Sequence, residues 1–189
     1  GQGTISDAAK GTGDESYHAR FTWFGFAEVE VTGISNLTAE QVEAHAVNTA
    51  VERSGEFATS NDLINKINEI WQRSQLDNMH GSIASDCPHR ERSAYTGDGQ
   101  VACVTVMHNF SAQAFYNKWI RDIRGAQTPE GYVPNGAPWQ PGCGGGVGWG
   151  AAMEIMPWEF YRHYGDVEML EKNYESMKAH VDWMTTWVQ

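Results

Sequence analysis

The sequence has no apolar run near the roughly 20 residues that a membrane-crossing helix needs, so no membrane partner is expected. It is also short of positive charge. Its 13 Lys and Arg against 24 Asp and Glu, a net charge of −11, hardly supply the basic face that phosphate binding demands, and nucleic acid is not expected as a partner. Cysteine is scarce. Cys87, Cys103 and Cys143 are an odd number without CxxC spacing, which makes neither a disulfide framework nor a zinc-ligand pattern. The first residues, GQGTISDAAKGTGDES, lack the charged–apolar–small order of a signal peptide, and the compartment stays open. GCGGGVG, though rich in glycine, lacks the Gly-Lys-Ser/Thr ending of a phosphate cradle.

What is present fits a globular protein: 41% hydrophobic and 20% charged residues. Eight Trp, 7 Tyr and 7 Phe could stack on sugar rings, but composition alone favours a core role. Residues 1–16 read as an irregular lead-in rich in Gly, Ser, Thr and Asp. RFTWFGFAEVEVTG alternates with period two up to Gly33, which predicts a half-buried strand. Residues 37–53 fit helix or strand. From residue 60 the period becomes helical: Leu63, Ile64, Ile67, Ile70, Trp71 and Ser74 share a face, with Ser60 or Asn61 as N-cap. Val101, Val104, Thr105 and His108 continue that spacing, and NFS at 109–111 predicts a break. Ala112, Phe115, Trp119, Ile120 and Ile123 form a further face. Residues 128–150, with four of the six prolines, read as a long loop. Helices are predicted over 153–164, where Pro157 must lie early or kink it, and over 167–188, carrying Leu170, Tyr174, Met177, Val181 and Met184 in its period.

Between the first two helical segments lies SDCPHRERSAYTGDGQ, residues 85–100. Asp86-Cys87-Pro88 is a turn signal, and Gly97-Asp98 opens the next helix, where a carboxylate is favoured by the N-terminal dipole. Glu91 stands between Arg90 and Arg92, seven residues ahead of Asp98. Carboxylates gathered at a loop–helix junction can split in pKa, as general acid catalysis requires. The competing reading is a solvated loop whose surface ion pairs each contribute little. Asp86, Cys87 and His89 match no recognised metal-ligand spacing, and no metal is expected. His45, His80, His108 and His180 read as surface or packing residues, and Trp71, Trp119, Trp158 and Trp183 as core. For Trp139 and Trp149, in the proline- and glycine-rich loop, sugar contact and packing both stand.

DCPHRERSAYTGD resembles the signature of the bacterial α-L-rhamnosidases, inverting enzymes whose common form runs Asp-Cys-Pro-x-Arg-Asp-Glu-Arg-x-Gly-Trp-x-Gly-Asp. FTWFGFAEVEVTG is similar to that family's last β-domain strand, GEFATSNDLINKINEIWQRSQLDN to its first barrel helix, and GWGAAMEIMPWEFYRHYGD to a later helix with its lead-in. The resemblance covers roughly residues 20–189. It implies a mainly α fold: a partial (α/α)6 toroid over 56–189, preceded by the end of a β-sandwich domain and linker over 17–55. Helix faces that turn toward the rest of such a barrel should be uncovered, and the missing remainder of the domain is the implied protein partner.

The same resemblance assigns Glu91 as the general acid and Asp86, Arg90, Tyr95, Asp98, Trp139 and Trp149 as substrate-binding residues. The substrate would be a rhamnose-containing oligosaccharide or glycoside, hydrolysed without a cofactor. Three departures stand out. One acidic residue, not two, separates Arg90 from Arg92; Tyr95 replaces a Trp; and Ala151 stands where relatives carry an Asp, with Glu154 one helical turn along. The family's general base is a Glu expected beyond Gln189, and Glu154, Glu159 and Glu168 do not match its context. A non-catalytic carbohydrate-binding relative is the alternative, and a helical interaction module a third reading.

Overall fold

A computed structural model of the chain describes residue 11 and residues 13–138 and 143–187. Helix α1 runs over Asp62–Leu76, and Asn61 caps it by accepting from the backbone N–H groups of Leu63 and Ile64. A two-residue antiparallel hairpin follows, β1 (Met79–His80) and β2 (Ile83–Ala84). Then come α2 (Thr96–Asn109), α3 (Gln113–Ala126), the single turn α4 (Val147–Gly150), α5 (Ala152–Tyr164) and α6 (Val167–Thr185). The mainly α expectation holds. The break at 109–111 is there too, with Phe110 extended at the α2 C-cap.

The strand expected over 20–33 does not form, and those residues carry no regular secondary structure. Alternation specifies a strand only where a neighbour supplies the ladder, and no strand lies beside this segment among the described residues. Most of its apolar side chains stay in solvent, Phe21 at 98% exposure, with Phe26, Val29 and Val31 also exposed, while Trp23 and Phe24 are half-buried. Residues 37–53 form neither an α-helix nor a strand of a sheet. They hold one 3-10 turn at Ala39–Gln41 and an isolated bridge from Arg53 to Phe110.

Helix α5 packs against α2, α3 and α6. Phe115, Tyr116, Trp119, Ile120 and Ile123 of α3 meet Met153, Met156 and Phe160 of α5 in the core. Gly99 lets α2 and α3 approach: a Cβ there would lie 1.9 Å from the Trp119 ring, whose indole N–H donates to the Ala137 carbonyl at 2.8 Å. The α3 face is as expected, but two other faces are not. In α2 the buried residues are Thr96, Gly97, Gly99, Cys103, Val106 and Met107, while Val101 and Val104 are exposed. In α6 they are Met169, Asn173 and His180, while Tyr174 and Val181 face out. Small and polar residues make these buried surfaces, so an apolar count points one step around the helix. Pro157 lies inside α5, buried, where its missing N–H removes a bond to the carbonyl four residues back. Trp158 is exposed rather than core, whereas Trp119 is fully buried.

Leu63, Ile64, Ile67 and Ile70 of α1 are all exposed, and only Gln72 of that helix is buried. Trp71 and Gln72 tie α1 down, through the Phe110 ring at 6.3 Å and the Asn109 side chain at 3.1 Å. Trp71 anchors one end of the apolar face, and the rest of it, Leu63, Ile64, Ile67 and Ile70, stays exposed among the described residues. No helix among them is long and apolar enough to cross a membrane.

Candidate functional site

The acid-rich loop is held at both ends and from outside. The Ser85 N–H donates to the Asn78 carbonyl at 2.7 Å, anchoring the loop to the hairpin. Asp86 and Ser93 then close it reciprocally. The Asp86 N–H donates to the Ser93 carbonyl at 3.1 Å, and the Ser93 N–H to Asp86 Oδ1 at 3.0 Å. Between them the chain turns at residues 88–91 and passes through Arg92 at φ 52°, a left-handed conformation that a non-glycine residue keeps only when its surroundings hold it. The hold comes from the N-terminal segment. The Arg92 guanidinium donates to Thr22 Oγ1 at 3.1 Å and to the Trp23 carbonyl at 2.5 Å and lies 4.9 Å from the Phe24 ring centre. The Gly25 N–H donates to the Pro88 carbonyl at 2.7 Å, and a Cβ on Gly25 would press on Pro88 at 3.1 Å. Trp23 stacks on His80, 4.0 Å between ring centres, and His80 in turn bonds the Val47 carbonyl at 2.7 Å. The residues read as a strand therefore act as a clasp on the loop.

Inside the loop, Arg90 forks onto Glu91, Nε to Oε2 at 2.9 Å and Nη2 to Oε1 at 2.7 Å. This bidentate pair, helped by the Glu91 backbone N–H and the Cys87 thiol, holds the Glu91 carboxyl down at about 2. The Cys87 thiol donates toward Asp86 Oδ2 at 3.0 Å and Glu91 Oε2 at 3.3 Å, so Asp86, Cys87 and Glu91 bring ligand atoms within 4.8 Å of one another. His89 is exposed and stands apart from that group. The carboxylates are engaged by the Cys87 thiol and, at Glu91, by the Arg90 guanidinium.

Asp98 lies in the first turn of α2, exposed, with no side-chain partner among the described residues. Trp149, on α4, is brought over the same helix end. The Thr96 hydroxyl donates to its carbonyl at 3.0 Å, and its indole covers Gly97 so closely that a Cβ there would lie 2.8 Å from the ring. Asp86, Asp98 and Trp149 thus line one cavity of about 450 Å³, with Gln75, Asn78, Ser85 and Gln100 among the other walls. Glu91, Arg90 and Tyr95 do not line it. Tyr95 is half-buried at the α2 N-cap, bridged to Gly136, and its hydroxyl pKa is raised, first by charge on Cys143. Trp139 lies outside the described residues.

The three other carboxylates weighed from sequence are engaged elsewhere. Glu154 meets the fully buried His180 at 2.9 Å, Glu159 pairs with Arg162 at 3.0 Å, and Glu168 with Lys172 at 2.7 Å. The Glu154–His180 contact makes His180 a packing residue between α5 and α6, stacked on Trp183 at 5.5 Å. Sequence reasoning missed the 22–25 clasp and the cavity amides, because neither carries a pattern that local spacing can show.

Comparison with known proteins agrees with the motif. The sequence model of the bacterial alpha-L-rhamnosidase 6 hairpin glycosidase domain matches residues 52–188. An alpha-L-rhamnosidase of Formosa agariphila is 33% identical over 181 residues, 89% of this chain and 19% of that protein. Among solved structures, the alpha-L-rhamnosidase of Dictyoglumus thermophilum superposes with a TM-score of 0.74 at 37% identity, covering 82% of this chain and 17% of that one. The Streptomyces avermitilis alpha-L-rhamnosidase complexed with L-rhamnose gives 0.71 at 33% identity, covering 74% and 14%. The chain therefore spans about a fifth of the length of these relatives.

Proposed function

The chain belongs to the bacterial α-L-rhamnosidase six-hairpin glycosidase family, and on that premise we propose that it carries the acid-bearing part of a site that hydrolyses terminal α-L-rhamnosyl residues. The observation that carries this reading is the cavity where Asp86, Asp98 and the Trp149 indole converge beside the Glu91 loop. Its volume of about 450 Å³ suits one sugar ring, since small-molecule sites run from about 300 to 1,000 Å³. An indole face takes the C–H surface of a pyranose, and ionised carboxylates accept from its hydroxyls.

Glu91 is the general acid of this mechanism, protonating the glycosidic oxygen, and Asp86 and Asp98 position the sugar. With Arg90 on it, Glu91 is ionised at neutral pH and has no proton to give. Arg90 is also a substrate-binding residue on this reading. When the guanidinium turns from Glu91 to the sugar, the largest lowering influence leaves, and the carboxyl rises toward its ordinary range. An inverting reaction needs a second carboxylate about 6.5–9.5 Å away to activate water. Glu154, Glu159 and Glu168 are bonded elsewhere, so we assign the base to none of them. Residues 17–55 belong to a preceding β domain on this reading and 56–189 to the catalytic domain, whose further helices would cover the α1 face. The match over 52–188 supports that division.

The experiment is hydrolysis of an aryl α-L-rhamnoside by the natural full-length protein and its Glu91→Gln variant. Turnover by wild type, cut about a hundredfold or more in the variant, is the expected result. A second reading, a carbohydrate-binding relative without turnover, is favoured by the Arg90–Glu91 pair that keeps the acid ionised. A folded wild type that binds L-rhamnose and hydrolyses nothing would decide for it.

A further inference from the structure

We infer that the side-chain amides of Gln75 and Gln100 are hydrogen-bond donors of the sugar site, serving the lone pairs of a hydroxyl-rich ring; this rests on the function proposed above. Gln75 lies in the last turn of α1 and Gln100 in the second turn of α2. Both are half-buried, and both line the cavity that holds Asp86, Asp98 and Trp149. Neither amide has a hydrogen-bond partner among the described residues. Glutamines that serve the fold here are bonded: Gln72 donates to Asn109 Oδ1 at 3.1 Å, and Gln127 to the Gly131 and Ser176 carbonyls at 3.0 and 2.9 Å.

A sugar hydroxyl both donates and accepts. Ionised carboxylates only accept, so a ring facing Asp86 and Asp98 alone would keep its own lone pairs unserved. The cavity walls include no Lys, Arg or His. The Ser85 hydroxyl is spent on Asn78, at 3.1 Å to the side chain, and one of the two Asn78 amide protons on the Ser74 carbonyl, at 3.1 Å. Gln75 and Gln100 thus keep both amide protons for a ligand, beside the Trp149 indole N–H and the second Asn78 proton. Amides beside carboxylates offer a hydroxyl-rich ring both donors and acceptors.

The test is made on the natural full-length protein with Gln75→Leu and Gln100→Leu, measuring L-rhamnose binding by calorimetry and aryl α-L-rhamnoside kinetics. Losing one such bond should raise the rhamnose Kd and the KM about tenfold in each variant, with kcat within about threefold and the thermal midpoint unchanged. Should a leucine variant fail to fold, the isosteric Gln→Glu change at the same position removes the donor while keeping shape, and carries the same expectation. Wild-type Kd and KM in both variants, in a protein whose wild type turns over, overturns the inference. A wild type with neither turnover nor rhamnose binding overturns the proposed function instead.

Discussion

Arg90 and Glu91 set the protonation chemistry of the loop between them. The guanidinium fork, at 2.9 and 2.7 Å, is the largest influence holding Glu91 at about 2. Replacing Arg90 by methionine removes that influence and leaves the weaker ones, the backbone N–H and the Cys87 thiol. The Glu91 carboxyl should then titrate distinctly higher, moving from about 2 toward its ordinary 4.5, as followed by carboxyl-carbon NMR. A general acid works protonated, so its activity is lost as pH rises through its pKa. The alkaline limb of kcat/KM should accordingly move to higher pH in Arg90→Met, whatever the variant loses in sugar contact. A Glu91 titration unchanged by the substitution would remove Arg90 from the account. Cys87 acts at the same scale but more weakly, since its single proton serves two carboxylates in turn.

Among the elements, α2 is sharply specified where Gly99 meets the Trp119 ring of α3. A methyl group at Gly99 would meet the Trp119 ring at 1.9 Å, and that ring is fully buried and bonded to Ala137. Gly99→Ala should cost about 1–3 kcal/mol by overpacking, read as a lower midpoint in urea denaturation. An unchanged midpoint would mean that this contact is looser than drawn. The helices themselves were legible: Ser60 or Asn61 announced the start of α1, and Asn61 caps it, while the Phe115, Trp119, Ile120 and Ile123 spacing announced the buried face of α3. The faces of α2 and α6 were not, because Gly97, Gly99, Asn173 and His180 bury without being apolar. The 20–33 alternation misled because periodicity speaks of a side-chain pattern and says nothing of a partner strand. In the site, the Asp86–Asp98 motif was readable as a motif. Gln75, Gln100 and the Thr22–Gly25 clasp were not, since folding alone brings them to it.

At the scale of the whole molecule, the fold is unevenly covered. Leu63, Ile64, Ile67 and Ile70 make an exposed apolar stripe on α1, of the kind that marks an interaction surface. These 189 residues, produced alone, should therefore bind an apolar fluorescent dye and sediment faster as concentration rises. Ile67→Lys, which places a charge in the middle of the stripe, should weaken both effects. A monomeric, dye-silent wild type at high concentration would sink this expectation. The clasp bears on how such a protein is divided. A truncation that kept only 56–189 would retain α1 to α6 and still delete Thr22, Trp23 and Gly25, so helical content would be a misleading certificate of quality. The shortened protein would pass a circular dichroism check while Arg92 had lost its anchors and the turn carrying Glu91 had come unfastened.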